Sequence, residues 1–323
     1  MSTPALEVKD LSVWTETDAG RSQLVDGISL SINAGRATGL VGESGCGKSM
    51  TAMAIMGLLE TRGIKAKSAG ILINGTDIST LTRVQKRKVL GRDIAMIFQQ
   101  PGNALDPVFT LGQQISAVCR RHLGGNKQHS RQTMLAALEA VGFEHPEEIA
   151  ASYPFQLSGG MQQLAMIAMA TVCKPVVLIA DEPTTALDGM TRGLILQQLK
   201  RLQSQNQTAI LLISHDLNVV RHSCNDVIVM YCGRLLEKAD CKSLFSGPRH
   251  PYSAGLLSCI PKILATRPPP ISAIPGQVPA ANDLPPGCHF APRCSRAEPQ
   301  CLQSVPGLEP KHGAQVACFR PLS

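Results

Sequence analysis

The apolar residues of this chain fall into two patterns that predict two kinds of secondary structure. Short uninterrupted apolar runs between turn residues are typical of strands buried on both faces, and apolar positions at helical spacing indicate helices. Runs of the first kind predict strands at 37–41, 94–98, 176–180, 209–213 and 227–230. Shorter or mixed runs predict strands at 8–14, 28–32 and 70–75. The helical pattern predicts helices at 50–56, 111–122, 131–141, 161–172 and 191–205.

The order of these elements indicates the fold class and the division of the chain. Buried strands that alternate with helices indicate an α/β fold built on a parallel sheet. The stretch 101–174 is rich in helices, and after about residue 247 the composition changes, with Pro-rich turn or linker signals at 267–270 and 284–287. We therefore expect a large domain over 1–247, with a helical part at about 101–174, and a small extension over 248–323.

Composition and charge narrow the class of protein. A chain of 323 residues that is 44% hydrophobic can bury a full core, and with only 3% aromatic residues that core must be mainly aliphatic. A net charge of +7 is moderate, so it favours ordinary solubility over nucleic-acid binding and leaves open a weak preference for an anionic membrane surface. The first ten residues contain no apolar signal region, and no apolar run approaches the roughly 20 residues that a spanning helix needs. We expect a chain that is cytosolic or peripheral to a membrane.

The most informative motif runs from Gly42 to Ser49 and reads G-x-x-x-x-G-K-S, between a predicted strand and a predicted helix. This is the pattern of a P-loop, whose glycines let successive backbone N–H groups point at phosphate oxygens at a helix N-terminus. Lys48 is predicted to neutralise the β- and γ-phosphates of a nucleoside triphosphate, and Ser49 to bind Mg²⁺. The predicted nucleotide contacts are Gly42, Ser44, Gly45, Cys46, Gly47, Lys48, Ser49 and Met50.

A pair of acidic residues ends the predicted strand 176–180. Asp181 fits a residue that holds Mg²⁺ through water, and Glu182 fits a general base for an attacking water molecule. Two adjacent acidic residues at a strand end are also typical of a solvated turn, but the P-loop upstream favours the catalytic interpretation.

The sequence Ser158-Gly159-Gly160 precedes the predicted helix 161–172, and by itself indicates only a helix cap and a turn. Its position between the P-loop and the acidic pair makes it specific, and the run 157–163 resembles the signature motif of the ATP-binding cassette (ABC) ATPase family. Gln99 resembles the family's Q-loop, Ala186-Leu187-Asp188 its D-loop and His215 its switch histidine. Five motifs in the family's order cover about residues 6–247.

That resemblance implies a fold and a mechanism. The fold would be the P-loop ABC ATPase cassette, with a parallel core sheet, an antiparallel β subdomain and an α-helical subdomain. Two cassettes would dimerise head to tail, with ATP between the P-loop of one and the Ser158, Gly159, Gly160 and Asp188 of the other. His215 would contact the γ-phosphate, and Gln99 would touch Mg²⁺ and the attacking water.

The chain departs from the family pattern in two places. Gln162 and Leu164 stand where basic residues usually follow the signature motif, so contacts along that helix are expected to differ from the family's, while the Ser-Gly-Gly core is kept. The aromatic residue that stacks on adenine is expected near the first strand, where Thr15 takes the position and Trp14 is one residue away. Trp14 is therefore predicted as the adenine platform, with a core or surface tryptophan as the alternative.

The extension resembles the C-terminal region of ATPase subunits of oligopeptide, dipeptide and nickel importers. The resemblance lies in 249–257, 275–279 and 287–294, and in 97–101 and 105–110 of the cassette, where Gln100 replaces a more usual Asp. It implies an ATPase at the cytoplasmic face of the bacterial inner membrane that powers import of di- or oligopeptides. Its partners would be a second ABC ATPase subunit that is a paralogue, two transmembrane permease subunits and an extracytoplasmic solute-binding protein, with no nucleic acid.

Two alternatives to peptide import stay open. The first keeps the transporter and changes the cargo to nickel, a metallophore or another peptide-like solute. The second is a soluble ABC ATPase that acts on DNA or ribosomes. Only about 130 residues separate Ser49 from Asp181, which leaves no room for the long coiled coil of DNA-repair members, and the single cassette is unlike most ribosome-acting members.

Four of the eleven cysteines, Cys288, Cys294, Cys301 and Cys318, cluster in the extension. Disulfides are disfavoured in a reducing cytosol, and the C-x-x-C pairs of common zinc knuckles are absent. Four thiolates can also hold an iron–sulfur cluster, and resemblance to dipeptide-importer ATPases implies a [4Fe–4S] cluster here. Zinc and free thiols remain the alternatives.

Overall fold

The computed structural model describes residues 3–17, 20–59, 63–185, 187–260, 273–311 and 313–323. The predicted linker 267–270 and Ala186 of the predicted D-loop lie outside these ranges. Within them, no helix combines the length and the apolar character needed to cross a lipid bilayer.

The secondary structure of the described residues alternates between strands and helices, with two short 3-10 turns at Pro154–Gln156 and Ala291–Arg293. The strands are β1 (Leu6–Thr17), β2 (Gly20–Ile32), β3 (Ala37–Val41), β4 (Ile64–Lys67), β5 (Gly70–Ile73), β6 (Thr76–Asp77), β7 (Ile94–Ile97), β8 (Val177–Asp181), β9 (Ala209–Ile213), β10 (Asp226–Tyr231), β11 (Arg234–Asp240), β12 (Glu309–Lys311) and β13 (Ala314–Val316). The helices are α1 (Lys48–Ile55), α2 (Arg83–Val89), α3 (Pro101–Ala104), α4 (Leu111–His122), α5 (Lys127–Ala140), α6 (Pro146–Ala151), α7 (Gly159–Thr171), α8 (Gly189–Asn206), α9 (Leu217–Ser223), α10 (Cys241–Ser246), α11 (Pro251–Ser258) and α12 (Pro299–Gln303).

The chain divides into two compact units that interleave along the sequence. The first unit comprises 1–7, 31–37 and 70–212, and the second comprises 8–30, 38–69 and 213–323. The P-loop and the C-terminal extension therefore belong to the same unit.

The first unit is built on parallel strands covered by helices. β7 pairs in parallel with β8, with Ile94 opposite Val177 and Ile97 opposite Ala180. Every residue of both strands is buried, which explains their uninterrupted apolar sequence. α7 packs against β7, and α4, α5 and α6 pack against one another and form most of the helical region.

The second unit places the P-loop and the extension on one run of strands. β3 pairs in parallel with β10, β11 is antiparallel to β10, and β13 is antiparallel to β11 with β12 beyond it. The last two strands come from the extension, so the tail continues the strand array that ends in the P-loop. In the same unit, β4 pairs antiparallel with β1, where Trp14 lies opposite Lys65.

The predicted strands and helices are of the same type in the structure. Their ends differ where a capping residue or a turn sets the boundary of the element. The helix predicted at 111–122 is α4, whose first turn is capped by Thr110. The helix predicted from 131 begins earlier, at Lys127, because the Asn126 side chain accepts a hydrogen bond from the His129 N–H at 2.8 Å. The strand predicted over 70–75 ends at Ile73, because Asn74 and Gly75 turn with positive φ angles of 47° and 80°.

Candidate nucleotide site

The P-loop connects β3 to α1 along a path that only glycine allows at two points. A Cβ atom on Gly42 would lie 2.1 Å from the Met230 carbonyl oxygen. A Cβ atom on Gly47 would lie 2.7 Å from the Leu24 carbonyl oxygen. Gly47 is also the N-cap residue of α1, with a φ of 108°. The loop is therefore pressed against β2 and β10, which fixes its curvature around the start of α1.

The Lys48 side chain turns back into the loop. It is only 6% exposed, and its ammonium group donates hydrogen bonds to the carbonyl oxygens of Gly42 at 2.8 Å and Glu43 at 2.9 Å. The cation is thus held inside the curve of the loop, where a bound phosphate would lie. Ser44 and Gly45 form the exposed tip, and Ser49 and Met50 are half-buried in the first turn of α1.

Cys46 is a packing residue of the loop. It is 1% exposed, and its backbone carbonyl accepts a hydrogen bond from the Gly233 N–H at 2.9 Å. Burial raises the pKa of its thiol, so the side chain is uncharged at neutral pH. The loop is therefore braced by the β10–β11 turn through the backbone of a residue that carries no charge.

Trp14 lies half-buried on β1. Its indole N–H donates to Glu16 Oε1 at 3.0 Å, and the Arg21 guanidinium lies 4.2 Å from the ring centroid. Its role as an adenine platform stays a prediction, and in this structure a cation covers one face of the ring.

The acidic pair lies at the end of β8. Asp181 is 4% exposed, and Glu182 follows it with a φ of 48°, a left-handed conformation that is strained for a residue other than glycine. Glu182 Oε2 accepts hydrogen bonds from Gln99 Nε2 at 3.0 Å and from the Thr185 hydroxyl at 2.9 Å. The parallel pairing of β7 with β8 thus brings two predicted site residues together and fixes the orientation of the Glu182 carboxylate.

Thr185 was not predicted from the sequence. Its hydroxyl reaches Glu182 because the chain turns immediately after the acidic pair, with the Thr185 N–H donating to the Glu182 carbonyl at 3.3 Å. A hydroxyl three residues after a strand-end acid is the signal that could have indicated it.

The signature residues form the N-terminus of α7. The Ser158 hydroxyl caps the helix by accepting from the Met161 N–H at 3.3 Å, and Ser158 and Gly159 are exposed. The residues that replace the family's basic positions after the signature are both accommodated within the fold. Gln162 Nε2 donates to the Pro154 and Leu157 carbonyls at 2.9 and 3.2 Å, and Leu164 is buried. Gln162 therefore anchors the N-terminus of α7 to the preceding turn, and Gly159 remains accessible at the start of the helix.

Asp188 caps the neighbouring helix α8. Its carboxylate accepts from the backbone of Met190 and Thr191 at 3.0 Å and from the Thr191 hydroxyl at 2.7 Å. These bonds from Thr191 lower the pKa of Asp188, so it is ionised at neutral pH. A Cβ atom on Gly160 would lie 3.0 Å from Thr191 Cγ2, so the N-termini of α7 and α8 meet.

His215 belongs to the second unit, between β9 and α9, and its side chain is exposed. The adjoining residues fix the backbone on both sides. The Ser214 hydroxyl accepts from the Asp216 N–H at 3.0 Å, and the Asp216 carboxylate caps α9 through the Asn218 N–H at 2.9 Å. The second unit therefore presents Trp14, the P-loop and His215, and the first presents Gln99, the acidic pair, the signature and Asp188.

The four cysteines of the extension line one small cavity, together with the rings of Phe290 and Phe319. Burial raises the pKa of Cys288, Cys294 and Cys318, and repulsion from neighbouring cysteines of the group adds to it. The four thiols are thus close enough to influence one another. No group of three or more His, Cys, Asp or Glu side chains in the described part of the chain is arranged to hold a single metal ion.

Comparison with known sequence families gives two matches. The family described as "ABC transporter" matches residues 25–185, and the family described as "Oligopeptide/dipeptide transporter, C-terminal region" matches 236–301.

Two curated relatives are similar over nearly the whole length. The oligopeptide transport ATP-binding protein AppD of Bacillus subtilis is 43% identical, over 99% of this chain and 97% of that protein. The dipeptide transport ATP-binding protein DppD of Escherichia coli is 41% identical, over 98% of this chain and 97% of that protein. Among solved structures, the ATP-binding cassette MJ0796, a dimer in a post-hydrolysis state bound to ADP and Pi, gives a TM-score of 0.65 at 26% identity, covering 73% of this chain and 98% of that one.

Proposed function

Since this chain belongs to the ATP-binding proteins of ABC transporters, with the cassette fold and the ATPase activity of that family, we propose that it powers the import of di- and oligopeptides across the bacterial cytoplasmic membrane. The observation that carries the cargo class is the near-complete match to peptide-transport ATP-binding proteins from two bacteria, which includes the C-terminal region at 236–301. Nickel, a metallophore or another peptide-like solute is the alternative cargo, and a soluble ABC ATPase is the alternative function.

Catalysis divides between residues that bind phosphate and a residue that acts on water. Lys48 and the P-loop amides would hold the β- and γ-phosphates, and His215 would contact the γ-phosphate. Glu182 would accept a proton from the attacking water, in an orientation supported by its bonds from Gln99 and Thr185. Mg²⁺, when bound, neutralises charge on the phosphates. Ser49, Gln99 and Asp181 would hold it, and they offer the oxygen donors that this ion prefers.

A second ATPase subunit would complete the site. The exposed N-terminus of α7 offers Ser158, Gly159 and Gly160 as an anion site, and Asp188 lies beside it. The proposed partner is a paralogue in a head-to-tail dimer. The dimeric cassette MJ0796 supports an arrangement of this kind.

Two transmembrane permease subunits would dock on the helical region, and an extracytoplasmic solute-binding protein would deliver cargo to them. Large apolar side chains are exposed there: Val108 at 71%, Phe109 at 50% and Phe155 at 70%. The Leu111 N–H donates to the Ser152 carbonyl at 3.0 Å, which joins the two loops that carry these residues. An exposed apolar patch of this kind favours a protein partner, and the subunit would lie peripherally at the cytoplasmic face of the inner membrane.

We propose the same division of the chain as the sequence indicates. Residues 1–247 would form the cassette, with its helical subdomain at about 101–174, and 248–323 would form the peptide-transporter type of extension. The family matches at 25–185 and 236–301 are compatible with this division.

A [4Fe–4S] cluster held by Cys288, Cys294, Cys301 and Cys318 is the proposed cofactor of the extension. Its support is the single cavity that all four thiols line, where the rings of Phe290 and Phe319 would help to shield a cluster from water. A cluster is larger than a single ion. Its four thiolate ligands therefore surround a common space and need not all lie within bonding distance of one metal ion, as the ligands of a zinc ion must. Its chemistry here would be structural, since it would cross-link segments of a tail that is poor in large apolar residues.

Uptake in a strain that lacks the gene tests the proposed cargo. Wild-type chain supplied from a plasmid should restore uptake of a radiolabelled dipeptide, and Glu182→Gln should not. Restored uptake of ⁶³Ni²⁺ alone would replace peptide by metal as the cargo. Unchanged uptake of both after deletion would contradict the transport function and favour a soluble ATPase.

A further inference from the structure

Glu43, the second residue of the P-loop, is tied to the C-terminal extension. Its backbone N–H donates to the Tyr252 hydroxyl at 2.9 Å. Its carboxylate accepts two bonds from the Arg293 guanidinium, at 2.6 Å from Nη1 and 3.0 Å from Nη2. Its carbonyl accepts from the Lys48 ammonium at 2.9 Å and from the Cys46 N–H at 3.3 Å, so every polar group of Glu43 has a partner. Two of these partners, Tyr252 and Arg293, lie beyond residue 247.

The Arg293 side chain is buried and held in place by other residues of the same unit. Its side chain is 4% exposed, its Nε donates to the Pro275 carbonyl at 2.9 Å and its Nη1 donates to the Tyr231 hydroxyl at 3.3 Å. Gly276, the residue after Pro275, has a φ of 72°, and a Cβ atom there would lie 3.3 Å from Arg293 Cγ. A buried bidentate arginine with its remaining donors bonded is a specific arrangement, unlike an exposed surface ion pair.

The contact matters because of where Glu43 lies. A triphosphate carries several negative charges, and a carboxylate in the loop that cradles it would repel them. The Arg293 cation cancels that charge inside a largely buried pair, where it is weakly screened by salt. The same bonds hold the Glu43 carbonyl in place for Lys48.

We propose that Arg293 is a positioning residue of the nucleotide site, which neutralises and anchors Glu43 so that the P-loop can accept a triphosphate. The extension is therefore part of the ATP-binding apparatus as well as a marker of the transporter type. This inference rests on the proposed role of the P-loop and is independent of the cargo.

ATP affinity of the full-length chain, measured by equilibrium binding, tests the proposal. Arg293→Ala leaves Glu43 charged and unpaired, and should raise the Kd for ATP about tenfold (~1.4 kcal/mol). Adding Glu43→Gln to that variant removes the repulsive charge and should recover at least about threefold of the loss. A merely structural arginine would lower the melting temperature and leave both affinities unchanged when measured well below it.

The matched control is Arg320→Ala, which breaks another arginine–glutamate pair of the tail, with Glu298 at 2.5 Å and side chains 59% and 44% exposed. It should leave the Kd for ATP unchanged. If Arg293→Ala does not fold, Arg293→Gln repeats the test with a side chain that loses the charge and keeps hydrogen bonding.

The outcomes separate this inference from the proposed role of the P-loop. Lys48→Ala should weaken ATP binding in either case, and normal binding by that variant would overturn both. Weak binding by Lys48→Ala with normal binding by Arg293→Ala would overturn the role of Arg293 alone. The role of Arg293 would also be overturned if the Arg293→Ala, Glu43→Gln double variant bound ATP no better than Arg293→Ala.

Discussion

At the scale of single residues, hydrogen bonds fix the orientation of two charged groups of the proposed site. The Glu182 carboxylate is held by two donors, and the Lys48 ammonium by two carbonyls. Both groups are thus oriented before any ligand binds, which reduces the reorganisation needed in a reaction.

Glu182→Gln should abolish turnover and keep ATP binding. An amide of the same shape can still accept from Gln99 and Thr185, but it cannot take a proton from water, so phosphate release should fall by about a hundredfold or more. Phosphate release and retention of bound ATP measure the two effects. Glu139→Gln, an exposed change on α5, is the control, and near-normal hydrolysis by Glu182→Gln would reject Glu182 as the base.

Lys48→Ala should act on binding itself. The substitution removes a cation that the P-loop carbonyls hold in place, so the Kd for ATP should rise by about tenfold or more. Equilibrium binding of ATP measures this. A Kd within about twofold of the wild-type value would show that Lys48 does not contact phosphate.

At the scale of secondary structure, two helix N-termini carry residues of the proposed partner site. Ser158 and Asp188 cap α7 and α8, and the same side chains are predicted to contact the nucleotide of a partner subunit. A cap that also contacted nucleotide would contribute to both folding and binding, and experiment can separate the two contributions.

Ser158→Ala and Asn126→Ala provide that separation. Each removes a side-chain cap, of α7 and α5 respectively, and should cost about 1 kcal/mol of unfolding free energy. Only Ser158→Ala should also lower the ATPase activity of the assembled transporter. Chemical denaturation and phosphate release are the measurements, and equal activity of the two variants would exclude a nucleotide contact by Ser158.

At the scale of the whole molecule, the extension shares a core with the P-loop strand. Val41 of β3 belongs to the same buried cluster as Tyr231, Tyr252, Phe290 and Cys301. The tail also contributes β12 and β13, which continue from β11. A change in the tail can therefore reach the nucleotide site through packed and hydrogen-bonded groups.

The proposed cluster predicts a pH dependence of iron loading. Burial raises the pKa of Cys288, Cys294 and Cys318, and metal binds thiolates, so loading must release protons and is favoured as pH rises. Anaerobic reconstitution should give more bound iron and acid-labile sulfide at about pH 8.5 than at about pH 6.5.

Cys294→Ser should lower that iron content, and Cys173→Ser, outside the tail, should not. Cys294 lines the four-thiol cavity, whereas Cys173 follows α7 in the other unit. Protein without iron or sulfide after anaerobic preparation would contradict the cluster and leave ATP binding by the P-loop untouched.

The sequence by itself determined the features that depend on local spacing. The buried strands 37–41 and 209–213 and the helix 111–122 have the predicted bounds, because apolar runs and caps act within a few residues. The G-x-x-x-x-G-K-S spacing likewise fixed the strand–loop–helix of the P-loop. Short elements such as β4, β12 and β13 were not predicted, since strands of three or four residues that bury few side chains leave little apolar pattern.

Only the tertiary structure decided which distant groups meet. Gln99 reaches Glu182 across 83 residues because β7 and β8 pair in parallel, and Arg293 reaches Glu43 across 250 because the tail packs on the core behind the P-loop. Spacing along a chain cannot encode such contacts, because they depend on how strands pair and how buried surfaces fit. The motifs therefore indicated what the site binds, and packing brought Arg293 of the tail to Glu43 of the P-loop.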